Sequence, residues 1–165
     1  MRVKVKKLSS NAKLPYKKYD SDFCYDLYAT SCEEIAPNVY KYGLGLAFQI
    51  DRDYEKIFEE GGYSPDITMD DPMIPMNLSI DIRPRSSVWK TGMVLSNCEG
   101  TVDELYTGEV SAVFYHIMPN MPKYEVGDRI AQMKIGFTLP IEFIEVDSLD
   151  DTDRGCGGYG STGKK

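Results

Sequence analysis

Apolar residues in this chain tend to recur at every second position. Val3 and Val5 alternate with basic residues, and Leu78, Ile80 and Ile82 alternate with polar ones. Residues 39–50 are rich in aromatic and aliphatic side chains, and 110–118, 130–137 and 141–146 also read as strands. A period of two turns one face of a strand to a core and the other to water. Gly, Pro and Asn punctuate the runs, so the pattern predicts many short strands in a sandwich or barrel. One segment departs from this. Asp51 is placed to cap a short helix in which Tyr54, Ile57 and Phe58 share a face, with Gly61 and Gly62 to stop it.

Two stretches stand apart from the strand pattern. Residues 51–76 hold eight acids and two bases, together with Met69, Met73 and Met76. That composition reads as a surface insertion or as a docking surface for a protein partner, since methionine-rich segments adapt to partners. Residues 147–153 are acidic and polar, and 154–163 contain five glycines. Such a tail packs no core and is expected to be a mobile arm that a ligand or partner orders. The chain therefore divides into a β domain over 1–146, interrupted at 51–76, and an arm over 147–165.

Composition narrows the function. The 165 residues suit one domain, and 42% hydrophobic content supports a core. A net charge of −7 argues against direct nucleic-acid binding but not against a phosphate-bearing small ligand, which needs only a few placed cations. The four cysteines form no CxxC pair, so neither a zinc ribbon nor a disulfide framework is implied. The basic N-terminus has no apolar signal core, and no run approaches the ~20 residues of a membrane span. The expected location is the cytoplasm.

Five short segments carry candidate chemistry. Tyr25-Asp26-Leu27-Tyr28-Ala29 sets one carboxylate on a strand. Pro84-Arg85-Ser86-Ser87 presents a cation and two hydroxyls suited to phosphate oxygens, although it also reads as a turn in which Ser86 is an N-cap. Gly100-Thr101-Val102-Asp103-Glu104-Leu105-Tyr106-Thr107-Gly108-Glu109 has two glycines around a hairpin-like element. An aspartate is ionised at neutral pH, so Asp103 reads as a base for water or as a turn residue. Gly127-Asp128-Arg129-Ile130-Ala131-Gln132 is a turn entering a strand, with Asp128 and Arg129 read as a structural ion pair. Arg154 to Gly163 combines a cation, an aromatic, two hydroxyls and glycines that let backbone amides approach phosphate. It lacks the GxxxxGK[ST] of a P-loop.

In this order and spacing the five segments resemble the five motifs of the trimeric dUTPase family, from about Phe23 to Gly163. The resemblance implies a distorted jelly-roll β-barrel, a homotrimer with active sites between subunits, Mg2+ as cofactor, and hydrolysis of dUTP to dUMP and pyrophosphate. Asp103 matches the aspartate that activates water, and Tyr106 the aromatic that excludes a 2′-hydroxyl. Asn97 and the backbone of Gly100, Thr101, Val102 and Asp103 match the uracil contacts. Arg85, Ser86, Ser87 and Gln132 match phosphate contacts, and Asp26 the acid that holds magnesium through water. Arg154 matches a γ-phosphate clamp, Tyr159 a lid over uracil, and Ser161, Thr162 and Gly163 the arm's phosphate contacts. Cys24 stands where the family has glycine, and Tyr159 where it more often has phenylalanine. The related dCTP deaminases place an essential glutamate where this chain has Val113. A regulatory protein on the same scaffold is the other reading, motivated by the insertion. His116 and Trp89 read as packing residues.

Overall fold

The computed structural model describes residues 1–51 and 77–158. Ten strands make up these residues: β1 (Arg2–Lys7), β2 (Tyr25–Tyr28), β3 (Glu33–Ala36), β4 (Val39–Gly43), β5 (Leu46–Asp51), β6 (Asn77–Pro84), β7 (Met93–Leu95), β8 (Gly100–Asp103), β9 (Ser111–His116) and β10 (Arg129–Thr138). The one described helix is a 3-10 turn at Ser86–Lys90. The helix expected after Asp51 lies outside the described residues. All pairings are antiparallel, in three sheets ordered β1-β5, β2-β10-β6-β8 and β3-β4-β9-β7.

The core follows the alternation. Leu78, Ile80 and Ile82 of β6 are buried, as are Ile130, Ala131 and Met133 of β10 and Leu27 of β2. From the β3-β4-β9-β7 sheet come Tyr42 and Phe114, both fully buried and meeting edge to face with centroids 5.8 Å apart. Tyr124 completes this aromatic group, and the Tyr42 hydroxyl donates to its carbonyl at 2.9 Å. A buried phenol needs such a partner, because an unpaired hydroxyl costs a desolvation penalty of about 1–3 kcal/mol.

The β2-β10-β6-β8 sheet positions the chemistry. Residues opposite one another on paired strands share a face. Met133, Ile82 and Gly100 align across the sheet, as do Ile135, Ile80 and Val102, on its apolar face. The other face carries three polar rows: Asp26–Gln132–Arg83, Lys134–Asp81–Thr101 and Gly136–Ser79–Asp103. Asp81 is the one charged residue that is buried among those described. Its carboxylate is bound by Lys134 Nζ and accepts from Ser79 Oγ at 2.8 Å. Gly136 makes room for it, since a Cβ there would sit 2.4 Å from Asp81 Oδ2.

Residues 141–146, expected as a strand, form none. Their apolar side chains stand exposed, Phe143 at 91% and Ile144 at 73%. A strand needs a neighbour for its backbone groups, and the described chain offers this segment none. Residues 100–103 do not fold back on themselves as a hairpin ladder; β8 adds to the edge of β6 instead.

Candidate active site

Asp26 enters β2 through a two-residue bridge, with Tyr16 N donating to Asp26 O at 3.1 Å and Asp26 N to Tyr16 O at 2.7 Å. Its carboxylate is 18% exposed and held by two guanidiniums. Arg85 donates from Nε to Oδ1 at 2.8 Å and from Nη2 to Oδ2 at 3.4 Å, and Arg129 from Nη1 to Oδ2 at 2.9 Å. Arg129 therefore serves Asp26, and the expected Asp128–Arg129 pair does not form. The Asp128 carboxylate accepts instead from Glu125 N at 2.8 Å and closes the turn at Gly127, whose φ is +96°. Proximity in sequence favoured the neighbour, but antiparallel register carries Arg129 to β2.

Arg85 occupies the cap position of the 3-10 turn without a side-chain cap bond, so Ser86 is not the N-cap. Ser86 is exposed, and Ser87 Oγ lies 3.4 Å from Arg85 Nη1. Gln132, between Asp26 and Arg83 in register, donates from Nε2 to Pro84 O at 3.0 Å. Arg85, Arg129, Ser87 and Gln132 thus converge around Asp26. With two cations against one acid, the cluster suits an anion. Cys24 adjoins it, and burial pushes its thiol up despite the opposing pull of Arg83 and Lys134. Trp89 sits on the same 3-10 turn but is 71% exposed, so it does not pack as expected. His116 is structural: its Nε2 meets Met121 O at 3.0 Å and its ring the edge of Tyr40.

The second group lies at the opposite edge of the sheet. Cys98 adopts a left-handed φ of 58°, and Asn97 lies beside Gly100, where a Cβ would come 3.1 Å from Asn97 Nδ2. Thr101 and Asp103 are exposed and Val102 is half-buried on the core side. Asp103's backbone carbonyl accepts from Tyr106 N at 3.0 Å, so the carboxylate and the ring share one turn. The Tyr106 hydroxyl donates to Glu109 O at 3.1 Å. Gly108 leaves room for the ring as placed, because a Cβ there would meet Oη at 2.5 Å and displace it. Two carboxylates tether the turn: Glu104 accepts from Leu78 N at 3.2 Å and Glu109 from Gly45 N at 2.9 Å.

The two groups do not meet within one chain. Asp26 and Asp103 lie on strands at opposite edges of a four-stranded sheet, and β6 separates their rows by the step from Arg83 to Ser79. At ~4.8 Å per strand and ~3.3 Å per residue they stand roughly 20 Å apart. Arg154 belongs to a third place. Its Nε donates to Gly157 O at 3.0 Å inside the turn formed by residues 152–157. Tyr159, Ser161, Thr162 and Gly163 lie outside the described residues.

The single carboxylate at Asp26 fits an ion that brings most of its own ligands. A carboxylate offers about four lone-pair sites. The three arginine contacts leave capacity on Oδ1 for a water. Among the described residues no group of three or more His, Cys, Asp or Glu could form a protein cage. Two guanidiniums against one carboxylate leave the cluster net positive, so Mg2+ would be held there only together with substrate phosphates and through its own waters. No helix among the described residues is long and apolar enough to cross a membrane.

Arg129, Asp81, Lys134, Glu104 and Glu109 escaped the sequence reading as members of these groups. Asp81, a charge within an alternating strand, was the one visible signal. The partners of all five are fixed by register and turn geometry.

A sequence model of the family described as dUTPase matches residues 48–163. The deoxyuridine 5′-triphosphate nucleotidohydrolase of Nautilia profundicola is 33% identical, covering 99% of this chain and 100% of that protein. A Staphylococcus bacteriophage 80alpha dUTPase with dUPNHPP superposes with a TM-score of 0.70 at 21% identity, over 98% of both chains. A dUTPase from phage phi11 of S. aureus, described with a coordinated structural Mg(II) ion, gives 0.63 at 18% identity over 92% of this chain and 100% of that one. These likenesses identify the β architecture as the jelly roll of those proteins.

Proposed function

The chain belongs to the dUTPase family and is a dUTP diphosphatase, and on that premise we propose that Asp103 activates the water that attacks the α-phosphorus of dUTP. One contrast carries the assignment. Asp26 is committed to two guanidiniums, whereas Asp103 is exposed and its carboxylate has no hydrogen bond or ion pair among the described residues. A carboxylate paired with guanidiniums is poorly placed to take up a proton, because doing so breaks its ion pairs, and Asp103 has none to break among the described residues.

The other roles follow from where each group stands. Asn97 and the backbone of Gly100 to Val102 read uracil, and Tyr106 lies under the deoxyribose, where a 2′-hydroxyl would collide. Arg85, Ser86, Ser87 and Gln132 bind the phosphates, and the site's cations offset the charge that repels an attacking oxygen. Asp26 holds Mg2+ through water. When bound, that ion neutralises phosphate charge and steadies the leaving pyrophosphate. Arg154 clamps the γ-phosphate, Tyr159 covers uracil, and Ser161, Thr162 and Gly163 close on the phosphates. Closure of the 147–165 arm excludes bulk water and fixes the in-line geometry.

The ~20 Å between Asp26 and Asp103 supports a homotrimer with sites between subunits. One copy supplies Asp103 and Tyr106, and a neighbour supplies Arg85, Gln132 and Asp26. Closed rings with shared interfaces are the ordinary way to bring distant patches together. In the cell the reaction limits uracil in DNA and yields dUMP for dTMP synthesis.

The test is pyrophosphate release from dUTP, dCTP, dTTP and UTP, with and without magnesium. Magnesium-dependent release from dUTP alone is the expected result. Equal release from UTP would refute the sugar gate, and ammonia release from dCTP would move the chain to the deaminase branch.

A further inference from the structure

The turn that carries Asp103 and Tyr106 is tied to a part of the fold outside the sheet that bears the polar rows. Glu109 reaches from its end to the corner between β4 and β5, where its Oε1 accepts from Gly45 N at 2.9 Å. That corner admits little else. Gly45 has a left-handed φ of 62°, and a Cβ on Gly43 would meet Glu109 Oε1 at 2.7 Å. The neighbouring Val110 is already locked, donating to Leu46 O at 2.9 Å and accepting from Leu44 N at 3.1 Å. Glu109 is therefore the last residue of the turn whose hold on the sheet is made by a side chain. Its own carbonyl receives the Tyr106 hydroxyl at 3.1 Å.

We propose that Glu109 is a positioning residue for sugar selectivity: its carboxylate on Gly45 N fixes the carbonyl that anchors the Tyr106 hydroxyl. This rests on Tyr106 being the sugar gate. The tilt of a ring is what a 2′-hydroxyl tests, because a hydroxyl is excluded only if the ring stays close to the sugar. Without Glu109 the carbonyl moves, the phenol loses its anchor and the ring backs away. The substrate dUTP still fits, whereas UTP fits better than before.

The experiment measures kcat/KM for dUTP and UTP in Glu109→Ala, Glu109→Gln, Tyr106→Phe and the Glu109→Ala, Tyr106→Phe double variant. Glu109→Ala is expected to lower the preference for dUTP by about tenfold, the scale of one hydrogen bond to a charged group, mainly by improving KM for UTP. Glu109→Gln keeps an oxygen acceptor for Gly45 N and is expected to restore most of the preference. If Glu109 acts through the phenol, the double variant loses little more than the larger single loss. Full additivity, or an equal loss of kcat on both nucleotides, would overturn the proposal. Should Glu109→Ala not fold, Glu109→Asp, too short to reach Gly45 N, takes its place with the same expected loss. Tyr106→Ala separates the two layers. Unchanged preference in that variant refutes the sugar gate and this inference together. A changed preference there, with none in the Glu109 variants, refutes this inference alone.

Discussion

Asp26 and Asp103 are the same side chain in opposite electrostatic settings, and the roles proposed for them rest on that difference. Arg85 and Arg129 hold Asp26, whereas Asp103 projects from the edge strand of its sheet. Asp103→Asn is expected to lower kcat by about 10²–10⁴-fold, the range for a general base. Binding of dUTP by calorimetry should change little, and an undiminished rate would reject the assignment. Asp81 makes a different prediction. Burial raises its pKa, but the hydrogen bonds from Lys134 and Ser79 win, and the net value lies below the ordinary one. A lowered folded value stabilises the fold above the unfolded value of about 4 and fades as pH falls through the folded value. Asp81→Asn should therefore cost about 3 kcal/mol at pH 7, because it strands Lys134. Denaturant titrations should show the gap closing below pH 4; a gap independent of pH would contradict the pairing. Asp26 and Asp103 were legible in short motifs, each with its glycines, aromatics or cations nearby. Asp81 was not, because its partner Lys134 is fifty-three residues away and only register reveals it.

At the level of elements, alternation located most strands because a half-buried strand must alternate. It succeeded for β1, β6, β9 and β10, and residues 39–50 proved to be two strands meeting at Gly45. It failed at residues 141–146, where the pattern is strand-like but no strand forms within the described chain. Alternation records the face a segment buries and not whose surface buries it. On the proposed trimer, the exposed Ile141, Phe143 and Ile144 would pack against another copy. Phe143→Asp with Ile144→Asp should leave the monomer's strands intact by circular dichroism while shifting light scattering toward smaller species. An unchanged mass would show that these side chains do not hold subunits together. The arm makes a parallel prediction. Truncation after Asp153 should leave a folded protein of unchanged assembly whose turnover falls severely, and a fully active truncate would remove the arm from the site.

At the scale of the molecule, the chain displays two incomplete sites. One sheet face carries Asp26, Arg85 and Arg129 at one end and Asp103 with Tyr106 at the other, with the Lys134–Asp81 row between them. On the proposed roles, neither end suffices for hydrolysis alone. This separation could not be read from the motifs, whose order along the chain says nothing of distance across a sheet. The central claim is that a working site takes Asp103 from one chain and Arg85 from another, and subunit mixing tests it most directly. Asp103→Asn and Arg85→Ala chains, each inactive alone, are co-expressed with different tags and mixed assemblies are isolated by both. The account expects dUTP hydrolysis to return to about a third of wild type per site, because a mixed trimer of either stoichiometry has one site in three that draws both intact residues from different chains. Mixed assemblies as inactive as their parents would place both residues in one chain's site and contradict it.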